Sequence, residues 1–276
     1  MASVISVVNF SKEGVRMAKT TAWQREHFQP GGGDPFLFYV VFGEFEEPFN
    51  LSRKAYRSTG IPDGIKVMQY SRPKDQYVFE TFTRGVFAGF LSEHLDLQRA
   101  VNESPQCIVV KGTVTDPTTL DYFRDVVGLI TFLIDHGGVA VADTQILRWW
   151  TPENWRRDIF EPAKPEPGRH VVILISEEDE GDYTVWMHTR GMRKFGRPDL
   201  SIHGVNPAYQ EVAVEMCNRF VQMQATGHVI PDGQQISMKG LPQGMVCTYR
   251  GNMDDPDFNN VHIEIEWPKG RQKRTP

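Results

Sequence analysis

Residues 107–143 constrain the fold more than any other part of this chain. "CIVVKGTV" (107–114) is rich in β-branched residues and reads as a strand. In the following "DPTTLDYFRDVVGLITFLIDHGG", Leu120, Phe123, Val127, Ile130 and Ile134 recur at spacings of 3, 4, 3 and 4. That is the period of one helix face. Asp116 stands where an N-cap is expected, and Pro117 follows at a first-turn position where its missing N–H costs nothing. Gly137 and Gly138 can close the helix with positive φ, and "VAVAD" (139–143) returns as a second strand. Strand, helix and strand joined this tightly make a βαβ-like unit.

The flanking segments add strands on both sides. "VISVVNF" (4–10), "PFLFYVVFGEF" (35–45) and "GIKVMQYS" (64–71) read as strands, and "FAGFLSEHLDLQRAV" (87–101) as a helix. Thr151 begins a short helix, and three prolines in 162–167 mark a connection. "VVILIS" (171–176) lacks polar alternation and is expected to be buried on both faces. After the acidic turn "EEDEGD", "YTVWMHTRG" (183–191) returns. A second helix follows, with Asn206 as cap, Pro207 in its first turn, Tyr209, Val212, Ala213, Met216, Phe220 and Met223 along one face, and Gly227 at its end. "QQISMKG", "GMVCTYRG" and "VHIEIEWP" complete the chain as strands. The expected class is α+β: a mixed, mostly antiparallel sheet with two main helices packed on it and the βαβ-like unit near 107–143. The expected division is an N-terminal region over 1–103, an α+β core over 104–268 and a basic tail over 269–276.

Composition limits the function classes. With 30 Lys and Arg against 35 Asp and Glu the net charge is −5, which argues against a general nucleic-acid binder. No apolar run approaches the roughly 18 residues of a membrane helix, and the N-terminal apolar run has no cationic segment before it. Cys107, Cys217 and Cys247 are far apart and form neither a CxxC pair nor a zinc spacing. A reduced, cytoplasmic setting without membrane or nucleic-acid partners is expected. "QPGGGDP" (29–35) lacks the Lys-Ser/Thr ending of a phosphate loop and reads as a flexible turn. No cofactor is called for.

Chemistry concentrates in "HTRGMRKFGRPDLSIHG" (188–204). Strand alternation places Val185 and Met187 on one face and Trp186, His188 and Arg190 on the other. Arg190, Arg193, Lys194 and Arg197 put four cations into eight residues of an acidic chain. Guanidinium forks match carboxylates and phosphates, so these four with His188 and His203 are the candidate site for an anionic small molecule or an acidic protein partner. The opposing reading is a solvated turn in which Asp199 pairs with a neighbouring arginine.

Other candidates are weighed the same way. His262, Glu264 and Glu266 share one face of "HIEIEW", either as a row of metal ligands or as the wet face of an ordinary strand; same-face spacing of about 7 Å favours the latter. Asp135 and His136 at a helix end form an acid–base pair only with a nucleophile, and no GxSxG, HExxH or Cys–His pattern supplies one. Trp149, Trp150 and Trp155 are either an aromatic lip or packing for the next helix.

Three stretches, "DYFRDVVGLITFLIDHGGVAVAD" (121–143), "HTRGMRKFGRPDLSI" (188–202) and "DDPDFNNVHIEIEWP" (254–268), give the chain a resemblance to a bacterial family of unassigned function. They cover under a third of it. The resemblance implies a single-chain cytosolic α+β protein with an accessory or immunity-like role, and it implies no reaction, cofactor or catalytic residue. The function expected is therefore non-catalytic binding. Its rivals are a metal-assisted hydrolase using His262, Glu264 and the histidines of 188–203, and a structural, oligomer-forming role, such as a homodimer built on the aromatic-rich "PFLFYVVF" segment.

Overall fold

The computed structural model describes residues 6–7, 21–46, 49–178 and 183–267. The strands divide between two six-stranded, mostly antiparallel sheets rather than forming one, and the class is α+β. The chain forms two compact units, residues 1–25 with 34–169, and residues 26–33 with 170–276. The boundary expected at 103/104 falls inside the first unit. The expected tail, 269–276, lies outside the described residues.

In the first unit the sheet strands are β1 (Ser6–Val7), β2 (Phe36–Gly43), β3 (Ile65–Ser71), β4 (Gln106–Thr113), β5 (Gly138–Asp143) and β6 (Arg148–Trp150), in the order β1-β3-β4-β2-β5-β6. All neighbours are antiparallel. β4 and β5 both run against β2, so they are parallel to each other with β2 between them. The expected βαβ-like unit is thus present in split form, with α4 (Asp121–Asp135) as its connection.

Three further helices, α1 (Arg72–Thr83), α2 (Gly85–Ser92) and α3 (Leu95–Glu103), cover one face of this sheet. Phe79, Phe82, Leu91, Leu97 and Val101 meet Val40, Phe42, Val109 and Ala142 there. The helix expected over 87–101 is two helices broken at Glu93 and His94. Periodicity does not foretell α1, whose buried apolar residues, Phe79 and Phe82, are too few to make a stripe.

Alternation sends Leu37, Tyr39 and Val41 to the other face. Tyr39 meets Trp155 at 5.7 Å between ring centroids, and the Trp155 indole donates to Thr131 of α4 at 3.0 Å. Every residue from Tyr122 to Ile134 is buried. The polar side of α4 is therefore enclosed too: Arg124 donates to Asp121 at 2.7 Å and to Asp125 at 2.9 Å, and Thr59 donates its N–H to Asp125 at 3.0 Å. The helix starts four residues later than its cap signal. Asp116 accepts from buried Arg25 at 2.6 Å instead of capping. Thr151 does cap α5 (Pro152–Trp155), accepting the Asn154 N–H at 3.2 Å. The short α6 (Pro167–His170) precedes the second sheet.

In the second unit the strands are β7 (Val172–Glu177), β8 (Val185–Arg190), β9 (Asp199–Val205), β10 (Gln235–Ile236), β11 (Met245–Arg250) and β12 (His262–Glu266), ordered β10-β11-β12-β9-β8-β7. β12 lies parallel to β9, and the other pairs are antiparallel. Asn206 caps a 3-10 turn over Pro207–Tyr209 by accepting the Ala208 N–H at 2.9 Å, and α7 (Gln210–Ala225) follows. Ala213, Met216, Cys217 and Phe220 cover Met187, Leu200, Ile202, Ile263 and Ile265. β7 is not buried on both faces. It is the last strand of the sheet, half-buried at its start and exposed from Ile175 onward.

Candidate functional site

The stretch 188–204 holds itself together. Gly191 (φ 119°) and Gly196 (φ 62°) flank a 3-10 turn over Met192–Phe195, in conformations that a side chain would strain. Lys194 is buried and donates Nζ to the His170 carbonyl at 2.9 Å. Arg197 is 2 % exposed, and its guanidinium donates to the backbone carbonyls of His228 (3.0 Å), Gly196 (2.8 Å), Gln29 (3.2 Å) and Gly227 (3.0 Å). The glycines of "QPGGGDP" admit this bolt: a Cβ on Gly32 would stand 1.6 Å from Arg197 Nη1.

Arg190 donates to the Asp257 carbonyl at 2.9 Å and Arg193 to the Asn259 carbonyl at 2.7 Å. The anion-donor role expected of Lys194 and Arg197 therefore fails, because peptide carbonyls take up their donors inside the unit. Arg190 and Arg193 stay half-exposed but point to the loop before β12. Asp199 takes its hydrogen bonds from neutral groups, while the nearby Arg190 guanidinium acts on it only as a charge that favours the carboxylate. Fully buried, it accepts from Thr189 Oγ1 (2.9 Å), the Met192 N–H (3.2 Å) and Asn260 Nδ2 (2.9 Å). Burial raises its carboxyl from 3.8 to about 6, against the pull of these donors.

What the outer face of the second sheet does bring together is a column of rings. Alternation holds: Val185 and Met187 enter the core while Trp186 and His188 turn outward. The Trp186 ring stacks with His188 at 4.1 Å and with His203, whose plane is nearly parallel at 6°, at 5.1 Å. Phe258 from the loop before β12 meets His188 at 5.3 Å and stacks on His262 at 4.2 Å. His188, 7 % exposed, has no hydrogen-bond partner at Nδ1 among the described residues, and burial lowers its imidazole from 6.5 to about 4. His262 is lowered for the same reason. The His203 side chain remains 54 % exposed, with Glu178 at Nδ1 and Glu264 3.9 Å from Nε2. Glu178 also accepts the Gly204 N–H at 2.6 Å.

His188 and His203 thus both stand against Trp186, and His262 and Glu264 lie close by. Phe258 and Glu178 carry no local signal; only the fold delivers them. The metal row does not form. Among the described residues no three His, Cys, Asp or Glu side chains are placed to hold an ion, and Glu266 turns to Thr248 (3.0 Å) and Arg250 (3.7 Å).

The other candidates resolve in the first unit. Asp135 is taken by Tyr56 (3.1 Å) and Arg156, while His136 donates Nδ1 to the Phe132 carbonyl at 2.8 Å, so the two are not an acid–base pair. His136 instead borders an open groove of 670 Å³ with Glu44, Glu46 and Glu103. Trp149, Trp150 and Trp155 are all buried and form no lip. β2, the "PFLFYVVF" strand, is interior to its sheet and unavailable as an oligomer surface.

No helix among the described residues is long and apolar enough to cross a membrane. Comparison with known proteins finds no matching family model, no matching curated protein and no matching solved structure, so every role assigned to a residue rests on geometry alone.

Proposed function

We propose that this chain is a non-catalytic, cytoplasmic binding protein that recognises a cationic segment of a partner protein on the outer face of its second sheet. The observation that carries this reading is the His203 ring, exposed, stacked on Trp186 and bordered by Glu178 and Glu264. A planar aromatic surface edged by carboxylates suits a guanidinium, which stacks on rings and pairs with carboxylates at its fork. An acidic partner is disfavoured because the cations that would meet it donate to the chain's own carbonyls. Three separate, buried, free thiols support the reduced compartment.

The test is a titration of the protein with an arginine-rich peptide, a glutamate-rich peptide and a set of phosphorylated metabolites, followed by tryptophan fluorescence. The expected outcome is saturable quenching by the arginine-rich peptide alone, lost in His203→Ala. Binding of the acidic peptide or a metabolite, or a response unchanged in His203→Ala, would overturn the reading.

A further inference from the structure

Glu178 fixes the hydrogen on the exposed imidazole. One of its carboxylate oxygens takes the Gly204 N–H at 2.6 Å, and the other meets His203 Nδ1. A carboxylate only accepts, so Nδ1 carries the hydrogen and the neutral ring leaves Nε2 as a bare acceptor. Glu264 Oε2 of β12 stands 3.9 Å from Nε2, beyond hydrogen-bond reach. The Glu264 side chain is only 18 % exposed, yet among the described residues its carboxylate accepts no hydrogen bond. Two acceptors therefore lie side by side at the edge of the Trp186 stack with no donor for either. A largely withdrawn carboxylate in that state carries a cost that N–H groups from a ligand would remove.

We propose that the gap between His203 Nε2 and Glu264 seats a guanidinium of the partner, and that a proton on Nε2 competes with it, so that the face releases its partner as pH falls. This rests on the reading of the face as a site for a cationic segment. One guanidinium edge presents the two N–H groups that this pair of acceptors lacks. A proton on Nε2 answers the same need from within: it turns the acceptor into a donor towards Glu264 and sets a positive charge where the ligand's would lie. Imidazoles change charge between pH 5 and 8 while arginine stays charged throughout, so the site titrates and the ligand does not. The other two imidazoles of the face, His188 of β8 and His262 of β12, are pushed towards the neutral form by burial. Beyond them the charges oppose each other, Arg190 against Asp257 at His188 and Arg250 against Asp255 at His262. That leaves the exposed His203 to take the proton. By linkage, a ligand that excludes the proton must release it on binding.

The test is calorimetric titration of the full chain with an arginine-rich peptide at pH 8, 6.5 and 5.5, each in two buffers of different ionisation heat. Circular dichroism confirms the fold at each pH, and ring NMR follows the histidines with and without peptide. Binding is expected to weaken about tenfold from pH 8 to pH 5.5, the effect of one like charge about 4 Å away near a protein surface, and to release a proton to the buffer at pH 6.5. The His203 ring signal, identified by its absence in His203→Ala, is expected to titrate at lower pH with peptide than without. Glu264→Gln, at a partly exposed position, is expected to fold and to bind at least about fivefold more weakly at pH 8. Failure of the peptide to bind at every pH would sink the reading of the face and this inference together. Equal affinity at pH 8 and pH 5.5, a His203 titration that the peptide leaves in place or raises, or native-strength binding by Glu264→Gln overturns this inference alone.

Discussion

Asn260 donates its side-chain amide to the Asp199 carboxylate and to the Arg197 carbonyl, each at 2.9 Å, and so ties the loop before β12 to the turn between β8 and β9. Asn260→Ala is expected to lower the stability of the protein by about 1–3 kcal/mol, the usual cost of leaving a buried acceptor unmet. Urea denaturation measures it. Asn260→Asp should be worse, because it sets a second carboxylate against a buried one, and parity between the two variants would speak against the tie.

Asp199 and His188 give the second unit two opposed pH responses. The Asp199 carboxyl is raised from 3.8 to about 6 in the folded protein, so between those values the native state holds a proton that the unfolded chain releases. Its contribution is present below pH 3.8 and lost as pH rises through about 6. His188 is lowered from 6.5 to about 4, so there the unfolded chain binds the extra proton. Its contribution is present above 6.5 and lost as pH falls through about 4. Each amounts to at most about 3 kcal/mol. Relative to the native protein, Asp199→Asn should become less stable at pH 4.5 than at pH 7, and His188→Phe, which keeps a ring beside Trp186, the reverse. Denaturation midpoints at the two pH values check the signs; parallel profiles for all three proteins would refute them.

Arg197 is expected to resist conservative replacement. A lysine keeps the charge but cannot reach the carbonyls of Gln29, Gly196, Gly227 and His228 from one planar fork. Arg197→Lys should cost about 3 kcal/mol. Gly32→Ala drives a methyl group into the same guanidinium and should cost about 1–3 kcal/mol. Combining the two should cost less than their sum, a coupling that a double-mutant cycle in denaturant reads directly.

Gly128 reverses the usual rule for glycine in a helix. On propensity alone Gly128→Ala in α4 would gain about 1 kcal/mol. Its Cβ, however, would stand 2.1 Å from the Tyr56 carbonyl, part of the backbone laid over the helix. The variant is expected to lose about 1–3 kcal/mol and a few degrees of melting temperature. A gain on thermal melting would show that the 49–60 segment can lift away.

The elements legible from residues alone are those set by local period. Phe123, Val127, Ile130 and Ile134 sit on α4 with Leu120 at its cap position, and the cap at Asn206 and the closing Gly227 (φ 110°) bound the 206–227 segment. Val185 and Met187 face inward as alternation requires. Asp116 shows where local signals stop: its cap position is sound chemistry, but buried Arg25, 91 residues away, outcompetes the helix N–H groups for the carboxylate.

By itself, then, the sequence determined the α+β class, the strand–helix–strand succession of 107–143 and the two faces of β8, because 3.6-residue and two-residue periods are properties of neighbouring residues. Only the tertiary structure decided that the strands form two sheets, that β7 ends one of them among the described residues, and that Lys194 and Arg197 spend their charge on carbonyls while His203 lies exposed over Trp186, with Phe258 buried behind it. A guanidinium can be satisfied by an anion in solution or by a peptide oxygen such as that of Gln29, 168 residues distant. No pattern within a segment encodes which of the two comes within reach; chain packing alone does.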